Sequence, residues 1–183
     1  MIKKTHTKPA LYSEVIVDGK IYRPGGWREM PGIIHDEHQI KGFFGEYRWL
    51  SNFGAAHVLL DDVEYPSVEV AYQAAKWERG DRSFFEICSN EDLIRYNRDN
   101  TPNKYEATAW NEIKVDVMRF LLEQKFDPAQ NPDSFKKLME TGDKYLEETN
   151  WWGDRFWGKD LEGGGENNLG QIIMQIREKL RDK

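Results

Sequence analysis

Three polar residues in one short segment are the first candidates for chemistry. Glu69, Gln73 and Lys76 follow Pro66 at spacings of four and then three residues, so a helix here places an acid, an amide and an amine on one face. The opposite stripe carries residues that can pack inward, namely Val68, Ala71, Tyr72 and Ala75. On the pattern alone we favour a solvated face with a weak salt bridge, worth roughly a few tenths of a kcal/mol.

A glycine-rich segment before the last predicted helix is the second candidate. Gly163, Gly164 and Gly165 come just before Asn167 and Asn168, and backbone amides at such a position can cradle a phosphate or diphosphate. The segment lacks the Gly-Lys-Ser/Thr ending of a P-loop and does not follow a convincing strand. A flexible loop with an Asn cap explains the pattern equally well.

Metal and nucleophile chemistry are not indicated. His35 and His38 are three residues apart in a turn-rich stretch without a third ligand, so we predict no metal site and no cofactor. No Gly-x-Ser-x-Gly elbow is present, and Cys88 lies in a predicted helical apolar patch. We expect Cys88 to be buried and inert.

The composition indicates one soluble domain. The chain has 183 residues, of which 39% are hydrophobic, 32% charged and 13% aromatic, which excludes global disorder. No apolar run approaches the roughly 20 residues that span a bilayer, and the start of the chain lacks a hydrophobic signal core. A single cysteine suits a reducing compartment, so we expect a cytoplasmic protein that makes no membrane contact.

Charge and tryptophan content narrow the class of partner. The chain has 26 Lys and Arg against 32 Asp and Glu, a net charge of −6, which opposes a sequence-independent coat on nucleic acid. This charge does not exclude an enzyme that binds DNA transiently. Several of the 7 Trp fall in segments rich in Gly, Arg, Asp or Asn, namely Trp27, Trp49, Trp151, Trp152 and Trp157. They can serve as platforms for flat rings or as lids on a small core.

The elements that must position these residues are two hairpins, several helices and short strands. We predict hairpins at 14–23, around Asp18-Gly19, and at 57–65, around Asp61-Asp62. Further strands are predicted at 40–44 and 145–149. Helices are predicted at 68–78 with Ser67 as N-cap, 82–88, 91–97 capped by Asn90, 107–126, 132–140 and from about 168 to the end. The long helix carries an apolar row of Trp110, Ile113, Val117, Phe120 and Leu121.

Taken together, these segments resemble the NADAR domain family, also called YbiA-like. The first half is carried by Phe43-Phe44, Leu50-Ser51-Asn52-Phe53, Tyr65-Pro66-Ser67-Val68-Glu69 and Tyr72-Gln73-Ala74-Ala75-Lys76. The second half is carried by Trp110, Lys114, Val117-Met118, Lys125-Phe126, Leu138, Thr141-Gly142-Asp143, Leu146-Glu147-Glu148, Asp154, Phe156-Trp157-Gly158, Gly165 to Gly170, Met174 and Arg177. The resemblance runs in order from about residue 41 to the C-terminus.

The resemblance implies the fold class and the domain organisation. We expect an α+β, mainly helical, single compact domain at 41–183 that carries the catalysis. Residues 1–40 are then an N-terminal extension with a β-hairpin, packed on that domain. Val70 stands where many members of the family carry His, so any role of that His is absent here.

The resemblance also implies a function. We expect a hydrolase that cleaves the N-glycosidic bond between ADP-ribose and guanine in ADP-ribosylated DNA, in the manner of an antitoxin. The expected partners are ADP-ribosylated DNA or nucleotide, ADP-ribose as product and a DarT-type toxin encoded alongside. The alternatives are an N-glycosidase acting on ribosylated riboflavin-pathway intermediates and a non-catalytic ADP-ribose-binding module.

The family motifs select the site residues. The resemblance assigns catalysis to Glu69, Lys76 and Asp154. It assigns ligand binding to Ser51, Asn52, Phe53, Gln73, Trp110, Trp157, Gly158, Gly165, Asn167 and Gly170. The glycine loop becomes a candidate diphosphate cradle fixed by Asn167, and Trp110 is either a pocket residue or core beneath the pocket.

The chemistry of the bond explains why these residue types are needed. Cleavage builds positive charge at the anomeric carbon and negative charge on the leaving base. A carboxylate can stabilise that cation or activate water, and a second group can protonate the base. Glu69 and Asp154 are the candidates, without a division of roles. Lys76 either holds an anionic group as a cation or forms a Schiff base with ring-opened ribose.

Overall fold

The computed structural model describes residues 15–17, 20–22 and 33–182 of the chain. The strands are β1 (Val15–Val17), β2 (Lys20–Tyr22), β3 (Ile34–His35), β4 (Gln39–Lys41), β5 (Ala55–Leu60), β6 (Val63–Ser67) and β7 (Tyr145–Glu147). The helices are α1 (Val68–Ala74), α2 (Ser83–Ile87), α3 (Asn90–Asp99), α4 (Ala107–Lys125), α5 (Pro132–Glu140) and α6 (Asn168–Arg181). The fold is therefore α+β and mainly helical, as predicted.

The N-terminal hairpin is present in the described residues. β1 and β2 pair antiparallel, with Val17 opposite Lys20. The predicted turn at Asp18-Gly19 lies outside the described residues, as do Pro24 to Trp27. Packing of residues 1–40 on the rest of the chain stays a prediction. Among the described helices, none is both long enough and apolar enough to cross a membrane.

Residue contacts divide the chain into two units, of which the first comprises Met1–Ser51 and Asp143–Glu178. It contains a three-stranded sheet in the order β3-β4-β7, with β4 and β7 parallel and Ile40 opposite Leu146. Ile40 and Leu146 are buried, while α6 buries its own apolar face through Leu169, Ile172, Ile173 and Ile176. This unit positions the loop that precedes α6.

The predicted strand at 40–44 is wrong at its far end. β4 ends at Lys41 because Gly42 has a φ of +82°, which turns the chain out of the strand. Phe43 and Phe44 beyond it are buried instead. β3 was not expected at all, since its two residues lie in a stretch whose composition favours turns.

The second unit comprises Asn52–Gly142 and Lys179–Lys183. β5 and β6 form the predicted hairpin, and Asp61 and Asp62 both take positive φ values of 51° and 63°, as a two-residue hairpin turn requires. α1 follows β6 directly. The Oγ atom of Ser67 accepts a hydrogen bond from the Val70 N–H at 3.3 Å, so the predicted N-cap is confirmed.

Three helices differ from their predictions. α1 ends at Ala74 rather than 78, because the Lys76 and Trp77 amides turn back to carbonyls three residues earlier. α4 packs against α1 and β5, and it buries Met118, Leu121, Leu122 and Lys125. The predicted apolar row is therefore wrong at Phe120, which is 51% exposed. The N-cap of α3 is Ser89 rather than Asn90.

Candidate active site

The predicted face of α1 forms a continuous hydrogen-bonded row. Gln73 Nε2 donates to Glu69 Oε1 at 2.8 Å, and Lys76 Nζ donates to Gln73 Oε1 at 2.7 Å. These contacts fix the orientation of the Gln73 amide, since its nitrogen faces the acid and its oxygen faces the ammonium group. We call Glu69, Gln73 and Lys76 the polar row. It is half-buried and more ordered than the solvated face that the pattern alone favours.

Two aromatic rings lie beside the ammonium end of the polar row. Lys76 Nζ is 4.9 Å from the centre of the Tyr72 ring and 5.5 Å from that of Trp110. The two ring centres are 5.2 Å apart, and Tyr105 adds a third ring 5.8 Å from Trp110. Such cation–π contacts hold a charged amine where a flexible lysine would otherwise sample many rotamers. Trp110 is half-buried, so the structure brings it together with Lys76.

The chain just after α1 is anchored through the backbone carbonyls of Lys76 and Trp77. The Lys104 N–H donates to the Lys76 carbonyl at 3.1 Å, and Arg82 Nε donates to the Trp77 carbonyl at 2.9 Å. Arg82 is only 2% exposed, and its Nη1 donates to Asp61 Oδ2 at 2.6 Å. That hydrogen bond lowers the pKa of Asp61 below its ordinary value.

Asn52 supports the other end of the polar row. Its backbone carbonyl accepts a hydrogen bond from the Glu69 N–H at 2.9 Å, and its Nδ2 donates to Met118 Sδ at 3.4 Å. Asn52 is 7% exposed, and its Oδ1 has no hydrogen-bond partner within the described residues. A buried acceptor without a partner is costly and rare in native proteins. Asn52, a predicted ligand residue, therefore has a side-chain oxygen that can accept a hydrogen bond from a ligand. Phe53, the next predicted ligand residue, is half-buried.

Asp154 lies in the first unit, where its hydrogen bonds organise a loop. Its Oδ1 accepts hydrogen bonds from the Phe156 and Trp157 amides at 3.0 and 2.9 Å. Asn150 closes the same turn through both ends of its side chain, since Oδ1 accepts from the Asp154 N–H and Nδ2 donates to the Asp154 carbonyl. Asp154 is half-buried. Its geometry accounts for a positioning role, while its catalytic role stays a proposal.

Three of the predicted ligand-binding residues are glycines at points where two backbone segments nearly touch. A Cβ atom on Gly158 would lie 2.2 Å from the Glu148 carbonyl oxygen, and one on Gly170 would lie 2.2 Å from that of Leu146. Gly165 has a φ of +135° and its Cβ would meet the Gly158 carbonyl oxygen at 2.4 Å. These close approaches give each glycine a packing reason.

Most backbone amides of the glycine loop are paired within the loop, so its role as a diphosphate cradle stays a prediction. The amides of Glu162 and Gly164 donate to Asp160 Oδ1, and that of Gly163 donates to the Asp160 carbonyl. Amides 166–169 donate to the carbonyls of Arg155, Gly158, Phe156 and Trp157, in that order. Amides paired within the loop are not available to a phosphate group.

Asn167 fixes this loop, as expected. Its Oδ1 accepts from the Glu148 N–H at 3.0 Å, and its Nδ2 donates to the Leu146 carbonyl at 2.9 Å. The residue has a φ of 55° and is 1% exposed. Because both ends of the amide bind backbone groups in and next to β7, the side chain holds the loop against that strand.

The loop tryptophans differ in their surroundings. Trp151 and Trp152 pack on Phe44 at ring-centre distances of 5.1 and 6.4 Å, and they cover a small core that includes Ile33. Of the two roles considered, they act as lids. Trp157 packs edge to face against Phe156, with ring centres 4.9 Å apart, and is half-buried.

Ser51, another predicted ligand residue, is buried in the first unit.

A buried polar run at the end of β7 and just beyond it is not among the predicted site residues. Glu147, Glu148, Thr149 and Asn150 are all buried. Glu147 Oε2 lies 3.8 Å from Lys41 Nζ and 3.4 Å from Lys159 Nζ. The sequence signal for this run is a pair of acidic residues at the end of a short strand. It does not reveal the lysine partners of Glu147, because they are remote in sequence. Across the described ranges, no three His, Cys, Asp or Glu side chains converge as a metal site would require.

Comparison with known proteins agrees with the resemblance. The model of the NADAR domain matches residues 36–181. N-glycosidase YbiA of Escherichia coli is 31% identical over 138 residues, which cover 74% of this chain and 82% of YbiA. A riboflavin biosynthesis protein of Vibrio vulnificus is 31% identical over 155 residues, which cover 84% of this chain and 40% of that protein. This chain therefore spans less than half of the Vibrio relative.

The fold agrees as well. An NMR structure of the Escherichia coli protein YbiA matches with a TM-score of 0.66 and 25% identity, over 82% of this chain and 89% of the other. The family model spans both units from the end of β3 to the end of α6. The chain belongs to the NADAR domain family.

Proposed function

We propose that this chain is a hydrolase that cleaves the N-glycosidic bond between ADP-ribose and guanine in ADP-ribosylated DNA. The observation that carries the proposal is the polar row with two rings beside its ammonium end. Family membership supports N-glycosidic chemistry, since several relatives are named N-glycosidases. The proposal makes ADP-ribose the product, ADP-ribosylated DNA a transient partner and a DarT-type toxin the cytoplasmic source of the modification.

Glu69 is the proposed group at the sugar. A carboxylate there stabilises the positive charge that develops at the anomeric carbon, or takes a proton from the attacking water. The Gln73 amide donates to one oxygen of this carboxyl group and so orients the carboxylate. The Asn52 carbonyl holds the Glu69 backbone, which fixes the starting point of the side chain.

Lys76 is the proposed group at the anionic or ring-opened part of the substrate. Its ammonium nitrogen is held by the Gln73 oxygen and by two ring faces. As a cation it stabilises negative charge that develops on the leaving base or a neighbouring phosphate. As a neutral amine, after losing its proton, it attacks the anomeric carbon of ring-opened ribose, and the bond to the base nitrogen breaks as the base leaves with a proton from the amine. Water then hydrolyses the resulting Schiff base, which releases the sugar and restores the amine.

Asp154, in the first unit, is proposed as a second catalytic carboxylate. One of its oxygens is used by two backbone amides of its own loop. An Asp154→Asn substitution keeps an oxygen acceptor for those amides and removes the charge. Loss of turnover with an intact loop therefore separates a catalytic carboxylate from a positioning residue.

A second candidate function has its own supporting observation. The Vibrio relative, 31% identical, is named a riboflavin biosynthesis protein, which favours ribosylated intermediates of that pathway as substrates. Both candidates need the same bond chemistry, since each breaks a bond between a ribosyl carbon and a nitrogen.

The test offers purified protein two substrates, an oligonucleotide with ADP-ribosylated guanine and the ribosylated riboflavin-pathway intermediates. We expect release of ADP-ribose and unmodified DNA, and this activity should fall in Asp154→Asn. Turnover of the metabolites alone would refute the DNA substrate and support the second candidate. Binding of ADP-ribose by calorimetry with no turnover of either substrate would identify a non-catalytic reader and refute both enzyme proposals.

A further inference from the structure

A cluster of charged side chains in the first unit is not used by the proposed reaction. Lys41 stands directly opposite Glu147 where β4 and β7 run parallel, and Lys159 reaches the same carboxylate from the loop after β7. Both lysine side chains are 27% exposed, whereas that of Glu147 is only 5% exposed. A buried acid is thus covered by two cations that reach solvent.

The cluster keeps an excess of positive charge. One carboxylate balances one ammonium group, so the three residues together carry a net charge of +1. Burial acts to lower the pKa of Lys159, but the Glu147 charge and the Tyr145 hydroxyl outweigh it, and the pKa lies above its ordinary value. Lys159 therefore stays charged at neutral pH.

The cluster also has hydrogen-bond donors to spare. Thr149 Oγ1 donates to Glu147 Oε1 at 3.0 Å, so the lysines share the other carboxylate oxygen. The Lys41 contact of 3.8 Å is too long for a hydrogen bond, and no hydrogen bond from Lys41 Nζ is found within the described residues. The Tyr145 hydroxyl accepts from Asn167 Nδ2 at 3.2 Å and keeps its own proton to donate.

We propose that Lys41, Lys159 and Tyr145 form a binding site for a phosphate group. Both ammonium nitrogens lie within 3.8 Å of one carboxylate oxygen, so they are close enough to bind one phosphate together. Glu147 holds the two lysines in place and opposes the incoming anion. The phosphate belongs either to a ribosyl substrate or to free inorganic phosphate, and only the first source rests on the proposed function.

The direct test is calorimetry with inorganic phosphate at fixed ionic strength. We expect binding to weaken at least about tenfold in Lys41→Gln and in Lys159→Gln, and to persist in Lys41→Arg, which keeps the charge. The matched control is Lys136→Gln, since Lys136 makes only an exposed ion pair with Glu140. Folded wild-type protein that binds no phosphate, or Gln variants that bind it as well as wild type, would overturn the proposal.

Glu147→Gln separates ligand binding from a purely structural role. Removal of the opposing charge should tighten phosphate binding by roughly tenfold, because the carboxylate and the phosphate repel each other at close range. Added phosphate should then raise the melting temperature of this variant more than that of wild type. If the variant is destabilised and phosphate does not raise its melting temperature, the lysines only hold the loop against the sheet, and the proposal is overturned.

The source of the phosphate follows from turnover of one ribosylated substrate with and without a terminal phosphate. If the substrate supplies it, Lys41→Gln raises KM about tenfold for the phosphorylated form alone. If free phosphate is the ligand, both KM values are unchanged while calorimetric binding persists in wild type. Phosphate binding without any turnover supports the site and refutes only the proposed function.

Discussion

Gln73 connects the two ends of the polar row, and its replacement tests whether that connection matters. Gln73→Leu keeps most of the side-chain volume and removes both hydrogen bonds, at 2.8 Å to Glu69 and 2.7 Å to Lys76. Hydrogen bonds to charged groups are worth about 1.5–3 kcal/mol each, less for a half-exposed row. We assign about 1.5 kcal/mol to the orientation of Glu69, which corresponds to roughly tenfold in kcat.

The assay is steady-state turnover of the substrate that the wild-type protein cleaves, with thermal unfolding of each variant alongside. Gln124→Leu is a matched control, because the Gln124 amide also bridges two groups, the Leu59 N–H at 2.7 Å and the Leu59 carbonyl at 2.9 Å, and accepts a longer third hydrogen bond from Gln130 Nε2 at 3.3 Å. We expect comparable losses of stability in both variants and a loss of kcat in Gln73→Leu alone. Equal kcat values in the two variants would refute a positioning role for Gln73.

The remaining predictions concern stability and covalent chemistry. Asp61→Asn should lower the free energy of unfolding by about 2 kcal/mol, because it leaves the buried Arg82 without its carboxylate. The folded pKa of Asp61 is lowered from 3.8, so the stability difference between the wild type and the variant should be complete above pH 3.8. It should shrink as the pH falls through the folded pKa of Asp61. Gly158→Ala should cost at least about 3 kcal/mol by urea unfolding, whereas Gly80→Ala, where a Cβ meets nothing within 4 Å, should not destabilise. Borohydride added during turnover should trap a covalent adduct on Lys76 if the amine forms a Schiff base, and an untrapped enzyme would limit Lys76 to a cationic role.

Local spacing was enough to predict the polar row and the elements that present it. The spacing of four and three residues, the Ser67 cap and the Asp61-Asp62 turn are all short-range signals, and each is confirmed in the structure. Helix geometry places Glu69 and Gln73 together, and the turn after Ala74, in which the Lys76 amide donates to the Gln73 carbonyl, brings Lys76 into line with them. Their hydrogen-bond order could not be predicted, since it depends on which way the amide turns.

Long-range contacts account for what the sequence did not show. The spacing of apolar residues on α4 could not tell that Lys125 would be buried and Phe120 exposed, because that depends on where α1 and β5 pack. The glycine loop suggested free amides, but Asp160 accepts from the amides of Gly163 and Gly164, and carbonyls from Arg155 to Gly158 accept from amides 166–169. Glu147 belongs to a motif of the resemblance, but it was not predicted as a site residue because Lys41, its partner, lies in a different part of the chain.

The most direct test of the central claim measures base release by Glu69→Gln under single-turnover conditions. Glu112→Gln is the matched control, since Glu112 is an exposed residue of α4. The account predicts at least about a hundredfold slower release in Glu69→Gln with an unchanged melting temperature, as expected for the loss of a general acid or base, and a wild-type rate in Glu112→Gln. A Glu69→Gln rate within twofold of wild type would contradict the assignment of the polar row as the active site.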